Sequence, residues 1–252
     1  MLIKYLILGL VQGLTEFLPV SSSGHLVLFQ DYFNLNTNRC LIDLILHAGT
    51  LLAVIVFFFK DIKNLIREKN LKILIYIAAA TAITGICGVT GSGFFKTLFD
   101  SASLVCVMLI INGVVLLSTK KFLNGKREFS DLNITDALLL GISQSLAIIP
   151  GISRSGLTIS AMLFKGVKKE SAFRFSFLAA IPAILGALIY ELKSLTCLTL
   201  NTTSYVLLGA LVAFISGLFA LKILYIIIRR AKLPLFGYYC LATASIYLLL
   251  HT

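Results

Sequence analysis

Apolar runs long enough to cross a bilayer recur along the whole of this 252-residue chain, with only short basic loops between them. A helix needs about 20 apolar residues to span the hydrocarbon core. Six stretches read as ordinary spanning helices: about 41 to 59, 71 to 91, 102 to 118, 172 to 190, 204 to 228 and 233 to 250. Two more, residues 1 to 30 and 134 to 164, are apolar overall but broken near the middle by Pro, Gly and Ser, at LPVSSSGH and IPGISRSGLT. Free backbone N–H and C=O groups are tolerated at membrane depth only inside protein or beside water. About 30 residues rising 1.5 Å each also exceed what one crossing needs. Both broken stretches are therefore read as re-entrant helix hairpins, in an all-α polytopic membrane protein that forms one integral membrane domain over residues 1–252.

Composition agrees with that class. The chain is 58% hydrophobic and 13% charged, against about 25% charged in a soluble domain, and its mean hydropathy is +0.98. The first segment does not read as a cleaved signal, because Gln12 and Glu16 interrupt it and no small-x-small site follows, so the N-terminus is expected to be retained. The net charge of +11 lies mostly in the gaps between apolar runs. That placement marks topology signals, and no nucleic-acid partner is expected. Cys40, Cys87, Cys106, Cys197 and Cys240 show no metal or redox spacing and are read as structural thiols.

The basic residues test the hairpin reading. Lys60, Lys63, Arg67, Lys69 and Lys72 form one cluster, and Lys120, Lys121, Lys126 and Arg127 a second. Lys165, Lys168, Lys169 and Arg174 form a third, and Arg229, Arg230 and Lys232 a fourth. If each broken stretch returns to the side it came from, all four clusters fall on the cytoplasmic face, and only Lys4, Arg39, Lys96 and Lys193 fall outside. The first hairpin then dips in from outside and the second from the cytoplasm, which is an inverted-topology repeat with halves of about 1–118 and 134–250. A shift of 132 residues lays Gly9, Gln12, Ser21, Ser23 and Gly24 on Gly141, Gln144, Ser153, Ser155 and Gly156. In inverted repeats the broken helices meet near the midplane and form the binding site.

The chemistry at such a meeting point can be read from the residues. Gln12 and Glu16 are i, i+4 and share a helix face. An intramembrane carboxylate needs a cation, and Arg154 on the opposing tip is the obvious counter-charge. Its planar fork, with Ser153, Ser155 and Thr158 beside it, suits phosphate or carboxylate, and a following helix would aim N–H groups at an anion. Ser21, Ser22, Ser23 and His25 offer a hydroxyl nucleophile with an imidazole nearby, and histidine can itself accept a phosphoryl group. Spacing alone leaves Ser and His both open. Serines after a proline are also common helix caps. Asp43 and His47, again i, i+4, read equally as a structural pair or as support for the site. Gly209, Ala213 and Gly217 read as a helix-packing stripe, and Lys168 and Lys169 as topology determinants.

At these residues the sequence resembles the undecaprenyl-diphosphate phosphatases of the bacitracin-resistance type. QGLTEFLPVSSSGH is similar to that family's first signature, (E/Q)xxxE followed by PVSSxGH, and PGISRSGLT to its second, PGxSRSxxT. The resemblance implies hydrolysis of undecaprenyl diphosphate to the monophosphate and phosphate at the outer face of the bacterial cytoplasmic membrane. It also implies recycling of the lipid carrier for cell-wall synthesis, and bacitracin resistance. Carried over, it makes Glu16, Ser22, His25 and Arg154 catalytic, and Gln12, Ser21, Ser23, Ser153, Ser155 and Thr158 substrate-binding. It implies a divalent cation, Mg²⁺ or Ca²⁺, held by Glu16 and Gln12. Gln12 stands at the first acidic position as a neutral ligand, so a cation shared by Glu16 and the diphosphate is expected. The partners are then a polyprenyl diphosphate and the membrane, with a homodimer allowed. A lipid-phosphate flippase would need the same anion site and is the alternative; an intramembrane serine protease fits Arg154 less well.

Overall fold

The computed structural model describes residues 2–33, 39–98, 102–192 and 203–251. Within them the chain is helical: α1 (Leu2–Phe17), α2 (Ser22–Tyr32), α3 (Arg39–Phe57), α4 (Phe59–Arg67), α5 (Leu71–Thr90), α6 (Ser92–Leu98) and α7 (Ala102–Ser118). Short 3₁₀ turns at Thr119–Phe122 and Phe129–Asp131 lead to α8 (Ile134–Leu146), α9 (Arg154–Phe164), α10 (Lys169–Leu192), α11 (Thr203–Arg229) and α12 (Leu235–His251). Lys193 and Cys197 lie outside the described residues, and the side chains of Arg39, Cys40 and Lys96 are likewise not described. Cys87, Cys106 and Cys240 are free thiols.

Four helical stretches, Leu71–Thr90, Ser103–Phe122, Lys169–Leu192 and Ser204–Arg229, are long and apolar enough to cross a membrane. The α3–α4 pair, bent by 60°, makes a fifth candidate. The expected sixth, α12, has a shorter apolar part, Leu235–Leu249. The basic stretch after residue 59, expected as a loop, is instead largely helix α4. Its Leu65 is buried and Ile62 half-buried against the core while Lys63, Asn64, Ile66 and Arg67 are exposed, so a narrow apolar edge holds an otherwise solvated helix.

α11 shows the packing rule that lipid imposes. Leu207, Leu211, Ile215 and Phe219, spaced by four, are exposed, whereas Ala213, Ser216 and Ala220 are buried. Large apolar groups gain nothing by leaving lipid, so helices associate through small residues that let backbones approach. The stripe Gly209, Ala213, Gly217 faces α1: a Cβ on Gly9 would lie 2.1 Å from the carbonyl oxygen of Gly209, and one on Gly13 2.5 Å from that of Ala213.

The two broken stretches have matching surroundings. α1 packs on α11 and α11 on α3, while α8 packs on α5 and α5 on α10; α7 and α12 pack on each other. Gly141 of α8 sits on the backbone of Ala80 as Gly9 sits on that of Gly209. Around the crossing of α3 and α10, Phe58, Phe173 and Phe177 form a ring cluster, with Phe173 and Phe177 centroids 4.8 Å apart. Phe17, the last residue of α1, packs edge-on against Phe177 at 5.8 Å.

All four basic segments gather at one end of the bundle. Lys72 donates to the carbonyl of Ser130, Arg127 to that of Lys165, and Lys169 to that of Arg229. Asp61 pairs with Arg174, and Glu128 with Lys168. The fixed point there is Asp136, fully buried at the start of α8, which takes both arms of the Arg127 fork at 3.0 and 2.5 Å. Removing one partner of such a pair leaves a buried charge unmatched, at about 3–5 kcal/mol. Arg127→Ala is therefore expected to lower the unfolding temperature in detergent by several degrees. An unchanged transition would show the pair to be ornamental.

Candidate active site

Each hairpin tip is shaped by its own sequence. Pro19 disfavours helix at Leu18, so α1 ends at Phe17 and a tight turn follows, with Val20 N–H donating to the Leu18 carbonyl at 2.8 Å. Ser21 then adopts φ +68°, a left-handed conformation rare outside glycine, and α2 starts at Ser22. In the second hairpin α8 ends at Leu146, and the chain turns through Pro150 and Gly151. Gly151 has φ +94°, and a Cβ there would lie 2.4 Å from the Val105 carbonyl of α7. Ser153 caps α9, its Oγ accepting from Gly156 N–H at 3.3 Å. The two tips mirror one another in detail: Ser21 and Ser23 hydroxyls are 3.3 Å apart, and Ser153 and Ser155 hydroxyls 3.2 Å.

The tips meet at a cavity of about 240 Å³. Glu16, Ser21, Ser22 and Ser23 line it from the first hairpin, and Gln144, Ser153 and Arg154 from the second. α3 adds His47, α5 adds Thr84, and Ile184, Ala187 and Leu188 of α10 make a wall that is apolar until Glu191 near the end of that helix.

Glu16 is the hub. Arg154 Nη2 donates to its Oε1 at 2.6 Å. Ser22 Oγ donates to Oε2 at 2.7 Å, and Gln12 Nε2 to the same oxygen at 3.2 Å. His47 Nε2 lies 3.5 Å from that oxygen. A buried carboxylate requires this density of donors. Three buried polar atoms nearby have no hydrogen-bond partner: Arg154 Nη1, Gln12 Oε1 and Gln144 Oε1. One free donor and two free acceptors thus surround the ion pair.

The other residues singled out in the sequence fall into two groups. Ser155 and Thr158 are buried behind the tip and are not among the residues lining the cavity. Thr158 Oγ1 donates to the Arg154 carbonyl at 2.7 Å and lies 2.5 Å from Ser176 Oγ, so it braces the first turn of α9. His25 turns away. Its Nδ1 is 2.8 Å from the Ser21 carbonyl, its Nε2 is 2.8 Å from Tyr239 Oη, and it too is not among the residues lining the cavity. The imidazole in the cavity is that of His47, whose Nδ1 is held by the Asp43 backbone carbonyl at 2.7 Å; the Asp43 side chain accepts from Gln30.

Sequence reading missed Asn112, a buried amide in α7 that touches both tips. Its only sequence signal is a lone carboxamide in the apolar run SLVCVMLIINGVVLLS.

Fold and site together define a multi-pass helical membrane protein in which two broken helices present a carboxylate, a serine hydroxyl and an arginine to one cavity. The chain belongs to the family of the bacitracin resistance protein BacA, which it matches over residues 5–246. It is 42% identical to an undecaprenyl-diphosphatase of Halothermothrix orenii, over 94% of this chain and 93% of that one. It is 43% identical to one of Carboxydothermus hydrogenoformans, over 93% and 91%, and 44% identical to one of Korarchaeum cryptofilum, over 93% and 94%.

Proposed function

We propose that the protein hydrolyses undecaprenyl diphosphate to undecaprenyl phosphate and inorganic phosphate. The observation that carries this reading is the Glu16 carboxylate accepting from Ser22 Oγ and Arg154 Nη2 at once, at 2.7 and 2.6 Å. This supports Ser22 as nucleophile, Glu16 as its base and Arg154 as anion clamp, and relatives 42% and 43% identical over nearly the whole chain bear the name undecaprenyl-diphosphatase.

In this reading Ser22 Oγ attacks the terminal phosphorus and passes its proton to Glu16. The new Oγ–P bond forms as the bond from phosphorus to the bridging oxygen breaks, and the leaving prenyl phosphate departs with the Glu16 proton. Water then attacks the phosphoserine; Glu16 takes a water proton and returns it to Ser22 Oγ as phosphate leaves. Arg154 holds charge on the phosphoryl oxygens through both steps, with Nη1 as the free donor. Ser21, Ser23 and Ser153 complete the polar wall, and the apolar face of α10 meets the first isoprene units. Ser155 and Thr158 fix the start of α9, and His25 steadies the first tip.

A divalent cation, Mg²⁺ or Ca²⁺, fits these residues. Gln12 Oε1 is a buried oxygen without a donor, of the kind hard cations take. Among the described residues no group of three or more His, Cys, Asp and Glu could hold a metal ion, so Gln12 and Glu16 would share it with the diphosphate oxygens. When bound, it would supply positive charge against the diphosphate.

The mirrored helix packing supports two inverted halves, about 1–118 and 134–250, with six spans and two re-entrant hairpins. Four basic clusters at one end support a cytoplasmic assignment of that end, with the cavity open to the outer face of the cytoplasmic membrane. Lipid-carrier recycling for cell-wall synthesis follows, as does resistance to bacitracin, which sequesters the diphosphate.

The test is phosphate release from undecaprenyl diphosphate by purified protein in detergent, with and without EDTA. Release that EDTA abolishes and Mg²⁺ or Ca²⁺ restores is expected. Well-folded protein that releases none would turn the same anion site toward lipid-phosphate transport.

A further inference from the structure

The two halves of the site belong to chain segments more than a hundred residues apart, and their alignment depends on whatever spans them. Asn112 does so with a single side chain. Its Nδ2 donates to the Pro19 carbonyl at 3.2 Å, and its Oδ1 accepts from Ser153 N–H at 3.2 Å. The amide has no freedom to turn over, because a carbonyl can only accept and an N–H can only donate. It is 1% exposed within an apolar helix, where no water competes for either bond.

Each partner is next to the chemistry. Pro19 lies in the turn that ends α1 after Glu16 and leads into Ser22. Ser153 is the residue before Arg154 and caps α9, so anchoring its N–H fixes where that helix begins. α7 supports the same region by packing, since Gly151 sits on the Val105 carbonyl and on Met108. The tips also touch directly: a Cβ on Gly156 would lie 3.1 Å from Pro19 Cβ and 3.3 Å from Asn112 Oδ1. Cys240 of α12 accepts from Asn112 Nδ2 at 3.3 Å and donates to the Pro19 carbonyl at 3.6 Å, so of the two tips its thiol bonds to the first alone. Among the described residues, Asn112 is the side chain with hydrogen bonds to the backbones of both tips.

We infer that Asn112 is a positioning residue that sets the register between the two hairpin tips, and so the placement of Arg154 against Ser22 and Glu16. This rests on the hydrolytic reading above. It acts through Ser153 and Pro19 and touches no reacting atom. A misplacement of about 1 Å costs about 10²-fold in rate, whereas binding of the lipid rests largely on the prenyl chain. The signature is therefore a fall in kcat with little change in KM.

Asn112→Leu keeps the branching at Cγ and removes both bonds; Asn112→Asp, nearly the same size, keeps an acceptor for Ser153 but sets a second oxygen against the Pro19 carbonyl. Both are compared with wild type and with Thr119→Val, which removes a buried hydroxyl bonded to the Leu116 carbonyl in the turn after α7, away from the tips. Hydrolysis kinetics, thermal unfolding and calorimetric binding of pyrophosphate are measured on each. The expected result for Asn112→Leu is a fall in kcat of about 30–100-fold, KM within about threefold, and pyrophosphate affinity at least tenfold weaker. Thr119→Val lowers the unfolding temperature without those changes. Wild-type kcat and pyrophosphate affinity in both Asn112 variants would overturn the inference, as would losses that only follow the folded fraction. If wild-type protein binds pyrophosphate but hydrolyses nothing, the hydrolytic reading fails by itself, and the pyrophosphate affinities still decide whether Asn112 aligns the anion site.

Discussion

Arg154→Ala is expected to reduce phosphate release by about 10²–10³-fold, the loss that follows removal of one preorganised donor from developing charge. The effect exceeds that of an ordinary ion pair because Arg154 has two tasks. In the resting protein its Nη2 neutralises Glu16 at 2.6 Å, and its Nη1 is the free donor that a phosphoryl oxygen would meet. Arg154→Lys should recover little, since an ammonium cannot hold a carboxylate and a phosphate with one planar fork. Initial-rate kinetics in detergent, on protein shown to be folded by its unfolding transition, check this. Activity within a few-fold of wild type would remove Arg154 from the mechanism. Glu16→Gln should be at least as damaging, because Ser22 then loses the acceptor for its proton while Arg154 loses its counter-charge.

Gly9→Leu is expected to abolish the folded protein. Overpacking a core costs about 1–3 kcal/mol where side chains can yield. At Gly9 the obstacle is the carbonyl oxygen of Gly209, 2.1 Å from where a Cβ would sit, and a partner backbone cannot step aside. α1 would be forced off α11, carrying Glu16 away from Arg154. Leu10, the next residue, is exposed, so Leu10→Ala should leave the fold intact. Size-exclusion profiles and unfolding temperatures in a mild detergent distinguish the two. A monodisperse, wild-type-like Gly9→Leu would mean that α1 and α11 do not approach this closely.

The breaks at both tips were legible because Pro, Gly and Ser stand out inside apolar sequence and lipid forbids loose backbone. The partnership of Glu16 with Arg154 was legible for a similar reason: each is an isolated charge at membrane depth and needs the other. Direction on a helix was harder. Thr158 sits in the same motif as Arg154, yet one turn of α9 carries its hydroxyl to the rear, onto Ser176. His25 follows Ser22 by three residues but faces Tyr239, 214 residues away, and no local pattern announces that partner. His47 reads equally as a structural partner of Asp43 or as support for the site, and only the packing of α3 beside α1 brings its Nε2 within 3.5 Å of Glu16. α4 reads as a loop in the sequence because its buried face is only Ile62 and Leu65 wide among charged residues.

The close seat of α1 on α11 also orders events at the ribosome. The groove lined by Gly209 and Ala213 is made some 200 residues after Gly9, which at about 5–20 residues per second is roughly 10–40 s of translation. Arg154 follows Glu16 by 138 residues and α11 comes later still, so for most of that interval the first hairpin, with its carboxylate, has neither to rest on. Its final docking comes near the end of synthesis, so a nascent chain is catalytically silent until almost every helix is in the bilayer, and the insertion machinery has to shelter Glu16 until then.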